Sequence, residues 1–69
     1  METLQISLAA ARVNANLTQD DVSRHLHVNK KTVVNWEKGK SVPSFIVLTA
    51  LSNLYGISID NLILPEKST

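Results

Sequence analysis

LTQDDVSRHLHVNKKTVVNWEKGK, from Leu17 to Lys40, is the stretch that decides the fold. It reads as two short helices about a tight turn. Thr18 is a strong N-cap, and Asp21 three residues on makes a capping-box-like pair with it. Asp20 and Asp21 also suit the positive end of that helix, so they serve as helix-start chemistry rather than as a catalytic carboxylate pair. Val22 and Leu26 form the buried stripe, and Ser23 is small enough to let another helix approach. His27 and Val28 make the turn. The following helix runs from Lys30 to about Lys38 behind the N-cap Asn29. Val33 and Trp36 face inward, while Lys30, Lys31, Val34 and Asn35 are left towards solvent or ligand. The two lysines break a local rule, because an exposed cation at a helix N-terminus costs roughly 0.3–1 kcal/mol. A rule broken without local gain marks a functional site. The gain that fits is an anion held by both lysines and the helix end together, and a phosphate or a guanine edge qualifies.

Before this stretch, Leu4, Leu8, Ala11 and Ala15 recur at helical spacing and predict a first helix of about three turns. It ends near Asn14 or Ala15, and Asn16 is suited to the left-handed closing position. After the stretch, Gly39 stops the third helix and Pro43 excludes helix through Val42. Ser44 caps a fourth, Phe45 to Tyr55, which stops at Gly56. Phe45, Leu48, Leu51 and Tyr55 form one apolar stripe of it, and Ile46, Ala50 and Leu54 a second. A helix so widely apolar is either central to the core or partly committed to another chain. Ser58 caps a last short helix, Ile59 to Leu64, ended by Pro65, and a polar tail follows over 65–69.

Sixty-nine residues allow one domain, 1–69, with a small core. With no cysteine, neither a disulfide framework nor a thiolate metal site supplements that core. His25 and His27 are two apart and share no helix face, so no metal is expected. No nucleophile–base pair or phosphate-binding glycine loop is visible, so neither catalytic residues nor a cofactor are expected, and the chain does not read as an enzyme. No apolar run approaches the ~18 residues that cross a membrane. The start, METLQISLAAARV, carries Glu2 and no basic residue before its apolar stretch, unlike a secretory signal. A soluble, cytoplasmic protein is the expectation. Net charge is only +1, but four lysines against one acid, Glu37, fall between Lys30 and Lys40. The distribution matters more than the sum.

Five short helices, Thr18-Gln19 opening the second, and Trp36-Glu37-Lys38-Gly39-Lys40 ending the third resemble the phage Cro/repressor (XRE-like) family. Pro43-Ser44 and Gly56-Ile57-Ser58-Ile59-Asp60-Asn61-Leu62 match as well, so the resemblance extends from Leu4 to Leu64. It implies an all-α, compact five-helix, lambda-repressor-like domain with a helix-turn-helix over about 18–38. It also implies a sequence-specific DNA-binding transcriptional regulator that reads the major groove of double-stranded DNA with helix 30–38. Lys30, Lys31 and Asn35 match the family's base-reading positions, and Thr32 adds a base or backbone contact. Gln19 matches a phosphate contact, Lys38 and Lys40 the loop that follows the backbone, and Asn29 is placed with these backbone contacts. Arg12 and Glu37 occupy the positions of a structural arginine–glutamate pair. Two positions depart from the family: His27 stands where glycine is frequent, and Val34 where a polar residue is usual.

One recognition helix reads only a few base pairs, so a homodimer on two half-sites is expected. The excess of apolar side chains after Phe45 places its interface on Ile59, Ile63 and Leu64. The alternative is a protein-interaction module on the same fold, such as a phage antirepressor with a protein partner. Val34 and the apolar fourth helix point that way.

Overall fold

Helix starts and stops in this chain are written locally, and a computed structural model, which describes residues 5–65, shows how. After a two-residue strand β1 (Ile6–Ser7) come α1 (Leu8–Asn14), α2 (Gln19–Leu26), α3 (Lys30–Lys38) and α4 (Phe45–Tyr55). A 3-10 turn (Ile59–Asn61) and β2 (Leu62–Ile63) follow. Hydroxyls open three of the helices. Ser7 Oγ accepts from the Ala10 N–H at 3.1 Å, Thr18 Oγ1 from Asp21 at 3.0 Å and Ser44 Oγ from Val47 at 3.2 Å. Each satisfies a donor that the first turn leaves without a helical partner.

All four helices end on a residue with positive φ: Asn16 (60°), His27 (56°), Gly39 (79°) and Gly56 (70°). In each case the next N–H reaches back five residues to a carbonyl. Leu17 donates to Arg12, Val28 to Ser23, Lys40 to Asn35 and Ile57 to Ser52, at 2.9–3.2 Å. This closure satisfies carbonyls that the last turn would otherwise leave open. It also turns the chain sharply enough to pack short helices around one another.

Each helix contributes to one core. Leu8 and Ala11 come from α1, Val22 from α2, Val33 and Trp36 from α3, and Leu51 and Tyr55 from α4. Ile6, Leu17, Leu26, Val28, Leu48, Leu54, Ile57, Leu62 and Leu64 pack around them, half-buried. α2 packs most extensively on α3, and the turn between them is the left-handed His27.

Two expectations are corrected. The last helix over Ile59–Leu64 is instead the 3-10 turn and strand β2, so the helix count is four rather than five. Pro65 disfavours helix at Leu64, and the β-branched Ile63 suits an extended chain better than a final turn. The fold remains an all-α helix-turn-helix architecture of four helices, tied at its ends by one two-residue ladder in which β1 and β2 pair in parallel, Ile6 opposite Leu62 and Ser7 opposite Ile63. The first helix begins at Leu8, one position after its cap Ser7. Its expected beginning at Leu4 and the polar tail beyond Pro65 lie outside the described residues.

His27 is exposed, and its conformation costs a side-chain-bearing residue about 1–2 kcal/mol. His27→Gly should therefore raise stability by about 0.5–1 kcal/mol in urea unfolding, the remainder being offset by the greater freedom of glycine in the unfolded chain. A loss of stability would show that the imidazole makes contacts worth more than the strain.

Candidate nucleic-acid interface

The exposed side of α3 is built from its first turn. Lys30 and Lys31 are exposed, Thr32 and Asn35 half-exposed, and Val34 half-buried beside them. Lys38 and Lys40 are exposed at the other end, on either side of the buried Gly39. Asn29 is extended at the N-cap position (φ −71°, ψ 148°), but its side chain makes no capping bond. The amide expected to close the helix start is thus free for another partner. Only the Asn29 carbonyl serves the helix, accepting from Thr32 at 3.0 Å. The first turn of α3 therefore presents backbone donors, two ammonium groups and a carboxamide together.

The cost of two lysines at this helix end is partly offset in a way the sequence did not reveal. Lys30 Nζ lies 3.8 Å from Asp20 Oδ2 on α2, an exposed pair across the helix-turn-helix. Such a pair contributes at most about 1 kcal/mol. Lys31, Lys38 and Lys40 make no ion pair among the described residues. Asp21, by contrast, is committed to the start of α2. Its Oδ2 accepts the Thr18 N–H at 2.8 Å and its Oδ1 pairs with Arg24. The Thr18 backbone N–H, then the Thr18 hydroxyl, holds the Asp21 carboxyl below the usual carboxylate range.

Behind this surface, one carboxylate gathers the helices. Arg12 Nε on α1 donates to Glu37 Oε2 at 2.7 Å, and Nη2 to Oε1 at 3.4 Å. Gln19 Nε2 on α2 donates to Glu37 Oε1 at 2.9 Å, and Arg12 Nη1 to the Leu17 carbonyl at 2.9 Å. The Arg12 and Glu37 side chains are only 15% and 8% exposed. The hydrogen bond to Glu37, working against burial, raises the Arg12 pKa. Gln19, expected at a phosphate, thus has one amide hydrogen on Glu37, and its second remains free for an outside acceptor. Neither this contact nor Asp20–Lys30 carries a sequence signature, because each depends on how α2 crosses α3. Tyr55 completes the surroundings. Burial, then Glu37, pushes its hydroxyl up to about 12, with Arg12 acting the other way. Among the described residues, no three His, Cys, Asp or Glu side chains gather to hold a metal. No helix among the described residues is long and apolar enough to cross a membrane.

Two helices joined by a closed turn, the second offering lysines and a free first turn, define a helix-turn-helix domain. The chain belongs to the helix-turn-helix family of XRE/Cro–C1 type, whose model matches residues 8–62. It is 32% identical over 60 residues to the HTH-type transcriptional activator BcrR of Enterococcus faecalis, covering 87% of this chain and 29% of the activator. It is 33% identical over 51 residues to the uncharacterized HTH-type transcriptional regulator MJ0272 of Methanocaldococcus jannaschii, covering 74% of this chain and 77% of that regulator. The chain thus spans less than a third of the activator's length. No solved structure matches it. The family is one of transcription regulators, not of enzymes.

Two measurements probe the network behind the interface. Glu37→Gln should cost about 1–3 kcal/mol in unfolding, because it leaves a mostly buried guanidinium underpaired. A double-mutant cycle with Arg12→Ala should show clear coupling, and coupling near zero would mean that the pair adds nothing to stability. Tyr55 is favoured neutral in the folded state, so its contribution is intact below pH 10 and lost as pH rises towards about 12. Discounted for screening at the hydroxyl, the loss is about 1–2 kcal/mol. Tyr55→Phe should lack this part of the alkaline destabilisation, and identical alkaline limbs in the two proteins would refute it.

Proposed function

We propose that this chain is a sequence-specific DNA-binding transcriptional regulator of Cro/repressor type, reading the major groove of duplex DNA with α3. The observation that carries this reading is the outer side of α3. Exposed Lys30 and Lys31 there stand over a helix N-terminus whose first donors are open, with Thr32 and Asn35 beside them. A lysine ammonium suits guanine O6 and N7, and a carboxamide pairs with adenine N6 and N7. Lys30, Lys31, Thr32 and Asn35 are therefore assigned to base edges. Gln19, Asn29, Lys38 and Lys40, which flank them at both ends, are assigned to the phosphate backbone. The near-neutral net charge limits the reach of the field, so affinity rests on these local contacts rather than on bulk attraction. Two copies on half-sites about one helical turn apart supply the length of sequence that a single short helix lacks.

A protein-interaction role on the same fold draws support from one feature, the exposed Phe45 and Ile46. That feature is equally served by contact between copies of the chain.

The two groups of residues should separate in a binding titration across salt concentrations. Lys38→Ala or Lys40→Ala should weaken all sequences alike and reduce the salt slope by about 0.9 per lost phosphate contact. Changes at Lys30, Lys31 or Asn35 should relax preference at particular base pairs, by about 1–3 kcal/mol for each well-made contact. Lys30→Ala and Lys31→Ala proteins that bind their best site as well as the parent does would refute the assignment of α3.

A further inference from the structure

Asp20 stands at the rim of a surface assigned to DNA, where a negative charge opposes binding. It follows Gln19, which is assigned to a phosphate, and its side chain is 56% exposed. As a helix-start residue it suits the dipole of α2. The start of α2 does not depend on it, however, because Thr18 and Asp21 already close that turn on each other. The Asp20 carbonyl accepts from Ser23 Oγ at 2.7 Å. Its carboxylate has a single partner among the described residues, Lys30 Nζ at 3.8 Å. Lys30 is in turn the one lysine of α3 and its following loop with an acid partner among those residues. An acid that weakens phosphate contact without local gain is explained by what it does to that lysine.

We propose that Asp20 is a specificity-determining residue, which makes Lys30 favour a base edge over a phosphate. The proposal rests on the DNA reading above and adds a residue of α2 to the base-reading set of α3. A lone ammonium on its flexible stem is drawn to any phosphate in reach, and phosphates run the length of every duplex. Beside Asp20 the local charge sums to zero. A phosphate approaching Lys30 brings a second negative charge next to the carboxylate, so much of the attraction is cancelled. A guanine edge brings none. Its O6 and N7 are neutral acceptors, and an ammonium with three donors can face Asp20 and still offer two. Pairing also narrows the range of the stem, so less freedom is lost when the base is met.

Lys31 supplies the internal contrast. It is the next residue of the same first turn, is exposed, and has no acid partner among the described residues. It therefore attracts phosphate and base alike. The Asp20–Lys30 pair is itself exposed, so its effect is a bias and not a switch. Specificity is a difference of affinities, and a bias against the wrong contact acts on it directly.

The test is a salt titration of the full chain on two duplexes, its best site selected from a random pool and a scrambled duplex of equal length. Asp20→Asn keeps the shape of the side chain and removes its charge. Affinity for the scrambled duplex should rise more than affinity for the best site, so that their ratio falls about threefold. The salt slope on the scrambled duplex should steepen by up to about 0.9, the equivalent of one added phosphate contact. In a Lys30→Ala background the same change should leave the ratio where it was. An equal rise on both duplexes overturns the proposal, because Asp20 would then only repel DNA at large. An unchanged ratio with a lowered urea midpoint also overturns it, leaving Asp20 as a helix-start residue. A ratio that falls just as far without Lys30 overturns it too, since the carboxylate would then act through another group. In these three outcomes the DNA reading stands. A parent that binds no duplex, or binds both equally, overturns the two readings together.

Discussion

The Glu37 carboxylate is the interaction on which the arrangement of this small protein depends. Its two oxygens accept from Arg12 on α1 and from Gln19 on α2, while its own backbone belongs to α3. Three helices are thereby referred to one point. Val33 and Trp36 bury the inner side of α3 in the core. The nearly buried Glu37 adds a directional constraint to that packing, since tilting α3 would separate it from donors it needs. The acid in a lysine-rich stretch is thus explained by what lies behind α3, not in front of it. The lysines keep their outward direction because Glu37 keeps its inward one.

The same layout accounts for how opposite charges coexist at close quarters. Asp21 is occupied by the Thr18 N–H and by Arg24, and Glu37 by Arg12 and Gln19. Asp20 alone among these acids faces the outer surface, where it meets Lys30. Negative charge is thereby largely retired into helix-start and inter-helix duties, and the positive charge of α3 and its following loop is left outward. A net charge near zero conceals this division, which is why composition says little about the role of the chain.

How far the sequence shows this depends on whether a feature is local. The bounds of α2, α3 and α4 are legible because Thr18, Ser44, Gly39 and Gly56 act within a turn of themselves. The start of α1 is legible in Ser7 as well, but the apolar Leu4 extends the helical period past it and hides the cap. The final segment misleads for a similar reason: Ser58 and its apolar neighbours imitate a helix that Pro65 leaves no length to form. Arg12 and Glu37, twenty-five positions apart, come together only through the fold, and their pairing is anticipated by resemblance rather than by pattern. Gln19–Glu37 and Asp20–Lys30 have no local signal. The surplus of apolar side chains in the second half is legible as a surplus. Its location is not, because which residues remain outside depends on the crossing of α4 with α1.

The parallel pairing of β1 with β2 differs in kind from everything else in the molecule. Every helix is capped and closed by residues within or beside its own segment, so its hydrogen bonds are local in sequence. Joining Ile6 to Leu62 instead closes a loop of nearly the whole described chain, and the ladder that rewards it is two residues long. The pairing is therefore the contact that costs most in loop closure and is least rewarded in hydrogen bonds. A two-residue ladder at the chain's ends belongs among the least protected parts of a folded domain, and among the described residues Glu37 and the exposed side of α3 make no hydrogen bond to it.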